Sequence, residues 1–281
     1  MNPSTKRNSL LCPNCKRLVS RSEQVCPHCG LTRPGSIWKD NFFTRGGDGG
    51  ESILKLILSV NIGMFILSIL IDPSLGRFSG SPFHFLSPSN NSLLVLGSSG
   101  AVPLFGLNRW WSLLSASYLH GGLIHIAFNM IALYQLWPLL EREYGGSRLF
   151  IIYTVSGIGG YFLSALVGVR FTIGASAAVC GLIGAALYYG KSRGGVYGNA
   201  VYSQIGGWAV GIFLFGFLVP GINNWGHGGG MLTGALAAFL LGYRERSRDT
   251  VGHTFLSIAC MICTGLVLLW SIFNGVLFLL A

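Results

Sequence analysis

From Ile53 to its end the chain alternates long apolar runs with short polar breaks. Seven runs stand out, at roughly 53–71, 118–138, 148–168, 176–190, 201–219, 227–242 and 254–280. About 20 predominantly apolar residues in a helix cross a bilayer, so the pattern predicts an all-α, polytopic membrane protein. The fourth and sixth runs are short and rich in glycine. Asp72 to Arg109, between the first two runs, is too long and irregular for a simple turn. Its Phe78, Phe83 and Phe85, with Trp110 and Trp111 just beyond, suit a segment at headgroup level.

Residues 1–52 follow a different pattern. They hold eight Lys/Arg against three acids in the first fifty positions, and four of the seven cysteines. No apolar run follows Met1, so no cleaved signal peptide is expected. The expected division is 1–35 as a small cysteine-bearing domain, 36–52 as a glycine-rich linker and 53–242 as a six-helix core. Residues 243–281 follow as a loop and a seventh span.

Composition agrees: 51% of 281 residues are apolar and 10% charged, with a mean hydropathy of +0.57. Soluble domains are about 25% charged. The formal charge of +10 then reads as a topology signal rather than a nucleic-acid footprint. With the N-terminus inside, ten Lys/Arg from Lys39 to Arg248 fall on the inner side and only Arg77, Arg109 and Arg170 outside. Seven spans then put the C-terminus outside, and the cysteine domain in the cytoplasm.

Cys12-Pro-Asn-Cys15 and Cys26-Pro-His-Cys29 are two C-x-x-C knuckles separated by ten residues. Four thiolates so spaced close a tetrahedral site around zinc, leaving no position for water, which makes the metal structural. The segment resembles the zinc ribbon family over residues 10 to 31. His28 is read as a bystander, and Cys180, Cys260 and Cys263 as packing residues.

Polar groups at membrane depth are costly and functional by default. His120, His125 and Asn129 lie in the second run, Ser176 in the fourth and His227 in the sixth, all near the starts of runs that enter from the outer side. His125 and Asn129, four apart, share a helix face. Ala177, Gly181 and Ala185 in one run, and Gly226, Gly230 and Gly234 in another, repeat small residues every fourth position, which lets two membrane helices approach closely. That approach would bring Ser176 to His227, where the imidazole takes the hydroxyl proton during attack. The Ser176 amide, Asn129 and His125 are candidate oxyanion donors. A soluble-hydrolase G-x-S-x-G elbow is excluded by Ala178.

Together these residues resemble the rhomboid family of intramembrane serine proteases over roughly residues 53 to 242. His120, His125 and Asn129 match its H-x4-H-x3-N, and Gly174-Ala175-Ser176 its G-x-S. His227-Gly228-Gly229 resembles its catalytic histidine with small residues following, and Glu141, Arg142 and Gly145 its E-R-x-x-G. The resemblance implies a rhomboid-like six-helix core with a seventh helix appended. It implies a Ser176–His227 dyad, an oxyanion hole from Asn129 and His125, and supporting roles for His120 and Gly174. Catalysis would need no cofactor, and the substrates would be single-span membrane proteins cut near the outer face. Ala177 stands where the family has glycine, and Arg109-Trp110-Trp111 where it has Trp-Arg. The alternatives are an inactive relative that binds membrane clients, a transporter and a membrane-tethered nucleic-acid binder. The spans lack the carboxylates of a transporter and the ribbon lacks aromatics for base stacking, so no nucleic-acid partner is expected. The cysteine domain's partner is not named by the sequence.

Overall fold

The computed structural model describes residues 9–12, 17–20, 22–35, 49–71, 86–219, 221–245 and 250–280. The chain divides into two compact units, Met1–Lys55 and Leu56–Ala281. In the first, β1 (Ser9–Leu11) pairs antiparallel with β2 (Leu18–Ser20), Leu10 opposite Val19. A second turn is closed by the Val25–Thr32 bridge and by the Cys26 N–H donating to the Leu31 carbonyl at 2.8 Å. Among the described residues its core is Cys12, Val19 and Cys26, flanked by Leu10, Cys29 and Leu31.

The second unit is helical. Its long helices are α1 (Gly49–Ile71, which starts in the first unit), α4 (Leu123–Tyr144), α5 (Gly146–Leu166), α6 (Ser176–Arg193), α7 (Gly195–Leu218), α8 (Asn224–Leu241) and α9 (Val251–Leu280). Two short helices, α2 (Asn90–Val95) and α3 (Ser112–Ser115), lie between α1 and α4. Of the stretch expected at headgroup level, Phe78, Phe83 and Phe85 lie outside the described residues. Trp110 is exposed and packs edge-on against Phe105, ring centroids 5.9 Å apart. Arg109 donates to the Leu94 carbonyl at 2.9 Å, tying this stretch back to α2.

The second predicted run begins later as a helix than its apolar pattern suggests. Ala116–Tyr118 is a 3-10 turn, His120 lies in non-helical chain, and α4 starts at Leu123. Gly121-Gly122 breaks the run, since glycine costs about 1 kcal/mol in a helix interior. His120 therefore belongs to the turn before the helix that carries His125 and Asn129.

α1, α4, α5, α7 and α9 are each long and apolar enough to cross a membrane. α6 and α8, the two glycine-rich runs, have 18 residues each. At about 1.5 Å per residue such a helix approaches bilayer thickness, but its apolarity falls short of the other five. The packing explains why. α6 is buried along almost its whole length, between α5, α7 and α8. A helix surrounded by protein rather than lipid has no need of a greasy surface.

The small-residue ladders are where these two helices meet. A methyl group on Gly230 would overlap the Ala177 carbonyl, and one on Gly234 the Gly181 carbonyl. The contacts are backbone to backbone, so no side-chain rotation could relieve the clash.

Candidate active site

α6 begins at Ser176, immediately after Gly174 and Ala175. Gly174 has φ of +121° and is buried, a conformation that residues with a Cβ rarely adopt. A methyl there would also lie 2.7 Å from His125 Nε2 and 3.6 Å from Ser176 Oγ. Gly174 thus lets the imidazole and the hydroxyl face the same small space. In the first turn of α6 the Ser176 amide has no intrahelical acceptor, which leaves it free to bind an anion.

The approach to Ser176 is held on several sides. Ser99 and Thr172 exchange backbone hydrogen bonds at 3.0 and 2.8 Å. The Gly174 N–H donates to the Ala116 carbonyl at 2.9 Å, and the Tyr161 hydroxyl donates to the Gly174 carbonyl. The Ala175 N–H donates to His120 Nε2 at 3.4 Å. His120 is fully buried, and its ring meets that of His125 edge-on at 5.1 Å.

His125 is oriented by its own turn. Its Nδ1 accepts from the Gly121 N–H at 3.3 Å, so in the neutral ring the proton sits on Nε2, the nitrogen that faces Gly174 and Ser176. That geometry makes His125 a donor toward the loop. Asn129 is buried one turn along α4, and its Nδ2 donates to the His125 carbonyl at 2.9 Å. One amide hydrogen is therefore engaged in the helix and the second is left over.

His227 lies in the first turn of α8. Asn223 caps that helix, with its Oδ1 accepting from Gly226 N–H at 2.9 Å. The Asn223 amide donates to Ser164 Oγ at 2.8 Å and Thr172 Oγ1 at 2.9 Å. One residue thus fixes the start of α8 to α5 and to the chain leading into Ser176. His227 is buried, lies within electrostatic reach of His125, and its Nδ1 has no hydrogen-bond partner among the described residues. No hydrogen bond joins Ser176 to His227. Catalytic hydrogen bonds are often long without substrate and tighten when it binds. The sequence has no Asp or Glu between Glu143 and Glu245, so no acid within α5 to α8 orients His227.

Tyr161, Asn223, Thr172 and Ser99 were not singled out from the sequence. Asn223 alone carried a local signal, as an Asn ahead of a helical run is an N-cap signature. The substitution at Ala177 is accommodated locally. Its methyl packs with Ala116 and Tyr161 in a small buried cluster beside Gly160, where any added Cβ would sit 2.9 Å from it.

In the N-terminal unit the sulfurs of Cys12, Cys26 and Cys29 lie within 4.8 Å of one another, those of Cys12 and Cys29 3.7 Å apart. A tetrahedral site with bonds of about 2.3 Å needs sulfurs about 3.8 Å apart, so the donor set fits zinc. Cys15, the fourth expected ligand, lies outside the described residues. His28 instead faces Arg17, Nδ1 3.5 Å from its guanidinium.

Comparisons with known proteins converge with this geometry. The family model of the Rhomboid domain matches residues 107–244. RHOMBOID-like protein 4 of Arabidopsis thaliana is 30% identical over 205 residues, 67% of this chain and 52% of that protein. Rhomboid protease GluP of Bacillus subtilis is 35% identical over 154 residues, 55% of this chain and 30% of that protein. Putative rhomboid protease YdcA of Bacillus subtilis is 32% identical over 144 residues, 50% of this chain and 71% of that protein. The chain thus spans about half or less of the length of the first two. The helical bundle built around α6 and α8, the matched domain and the covered length of these relatives together establish that this multi-pass membrane chain belongs to the rhomboid family.

Proposed function

We propose that the chain is an intramembrane serine endopeptidase in which Ser176 is the nucleophile and His227 its general base. The observation that carries this reading is the convergence on Gly174. His125 Nε2 and the Ser176 hydroxyl face one another across a position where no side chain fits. A donor, a hydroxyl and a helix N-terminus together are what acyl transfer requires.

His227 takes the Ser176 proton as Oγ attacks the scissile carbonyl, then returns it to the departing amine. Negative charge on the tetrahedral intermediate is met by the Ser176 amide, by His125 Nε2–H and by the second hydrogen of the Asn129 amide. His120 and Gly174 hold the loop in the attacking conformation. Water then releases the acyl group, with His227 again as base. Each of these groups is this chain's own, and the reaction calls for no cofactor.

The charge asymmetry supports an N-terminus in the cytoplasm and a C-terminus outside. Ser176, His227, His125 and Asn129 then belong to the outer half of the bilayer, and single-span helices that unwind there are the substrates. Cys12, Cys15, Cys26 and Cys29 hold a structural zinc, whose binding energy folds a unit too small to fold on apolar burial alone. Elemental analysis of reduced protein should find one zinc per chain, and its removal by a chelator should unfold that unit while the helical core keeps its melting point.

The direct test is incubation of purified wild type and Ser176→Ala with a single-span substrate in detergent, mapping the cut by mass spectrometry. Cleavage by the wild type alone, toward the outer end of the substrate helix, is expected. Equal cleavage by both removes Ser176 as nucleophile, and none by either favours client binding without proteolysis.

A further inference from the structure

Two successive glycines precede α4, and one of them orients His125. Gly121 gives its N–H to His125 Nδ1 at 3.3 Å. Gly122 follows as the residue before the helix, in extended conformation and without a side-chain cap. Glycine has the widest backbone freedom of any residue, so the pair does not by itself fix where the Gly121 N–H points.

A restraint comes from outside the turn. Ser87 Oγ donates to the Gly121 carbonyl at 2.7 Å, across 34 positions of chain. Among the described residues, the only side chains that hydrogen-bond this glycine pair are Ser87 and His125 itself. Ser87 is firmly held in turn. Pro88, buried beside it, has a fixed φ and biases Ser87 toward extended backbone. Ser89 then caps α2, its Oγ accepting from the Ser92 N–H at 3.0 Å and its carbonyl from the Ser92 hydroxyl at 2.9 Å. The far end of α2 is held by Arg109 on the Leu94 carbonyl. Residues 87–95 form a bracket with Ser87 at its tip. Ile173 also lies close to the turn, since a methyl on Gly121 would stand 3.6 Å from its Cδ1.

We propose that Ser87 is a positioning residue for His125. By holding Gly121 it keeps the N–H on Nδ1, and so keeps the Nε2 proton facing Gly174 and Ser176. Without that restraint the two neutral tautomers draw closer in energy, and part of the population turns a lone pair toward the oxyanion. The segment ahead of α4 thereby serves the site without touching a reacting atom. The catalytic part of this inference rests on the serine-protease reading. The control of His125 by Ser87 does not.

The test uses the full chain in detergent, with wild type, Ser87→Ala, Ser87→Thr and Ser115→Ala. Ser115 is the control, because its hydroxyl donates to the Gly97 carbonyl at 2.8 Å in the same part of the fold and does not touch the His125 turn. Imidazole nitrogen NMR of histidine-labelled protein reads the tautomer, with the His125 signals assigned by their loss in His125→Gln. Wild type and Ser115→Ala should show an unprotonated Nδ1 and a protonated Nε2. In Ser87→Ala both signals should move toward each other, and turnover should fall roughly fivefold with KM held, the effect of losing one hydrogen bond. Ser87→Thr, which keeps a hydroxyl, should restore both readings. Unmoved His125 signals in Ser87→Ala, an equal shift in Ser115→Ala, or a Ser87→Thr protein no better than Ser87→Ala would each overturn the proposal. If the signals shift as expected in a protein that cleaves nothing, positioning by Ser87 stands and the protease reading falls.

Discussion

α7 and α8 are neighbours in the chain and both are rich in glycine, yet the glycines in the middle of each helix are used in opposite ways. On α8, a methyl added at Gly230 or Gly234 would run into the backbone of α6. On α7, added methyls at Gly206, Gly207 and Gly211 would meet nothing within 4 Å. α7 is apolar enough to cross a membrane by itself, with Phe217 and Leu218 about 80% exposed. α8 is less apolar; its small-residue face packs against α5 and α6, while Leu232, Leu236, Phe239 and Leu240 leave its opposite face exposed. Glycine content alone therefore says little about contact. What marks a close helix pair is small residues every fourth position on both partners, as Ala177 and Gly181 face Gly230 and Gly234. Ser176 and His227 stand at the starts of that close pair, and His125 and Asn129 stand on α4.

The comparison breaks most visibly at Gly234. Gly234→Val should destabilise the bundle by about 3 kcal/mol or more, since overpacking against backbone cannot relax through rotamers. A thermal melt in detergent reads this, and a wild-type melting point would mean the two helices are not in contact there. One step smaller is Asn129→Ala on α4, which tests whether a polar site group beside the pair serves chemistry rather than packing. Turnover should fall by roughly 10²–10³, the usual effect of losing one oxyanion donor, with the melt nearly unchanged. A loss of stability with turnover intact would assign Asn129 to its helix bond with the His125 carbonyl. The smallest effect belongs to α7. Gly211→Ala should leave turnover unchanged and raise stability by at most about 1 kcal/mol through helix propensity. A fall in the melting point would reveal a contact that the open face of α7 lacks.

Much of this was legible in the sequence because its causes are local. The i, i+4 pair His125 and Asn129, the four-residue ladders and the start of α6 at Ser176 all follow from helical period. The apolar pattern from Tyr118 onward draws His120 into the second predicted run, whereas the Gly121-Gly122 break and the 3-10 turn leave it outside the helix. Other partnerships are long-range. Ser99 with Thr172, Tyr161 with Gly174 and Ser271 with Leu96 join residues that no spacing rule connects. The enclosure of α6 was equally hidden, because a short glycine-rich run reads alike as a buried helix or a loop until its neighbours are known.

The central claim is that Ser176 is activated by His227. It is tested most directly by a fluorophosphonate, which bonds only to an activated serine hydroxyl, with the modified peptide identified by mass spectrometry. The account predicts one adduct per chain on Ser176 in the wild type. No adduct should form in Ser176→Ala, and in a folded His227→Ala protein labelling should be abolished or slowed by orders of magnitude. Labelling of Ser176 at the wild-type rate without His227, or an adduct on another serine, would contradict it.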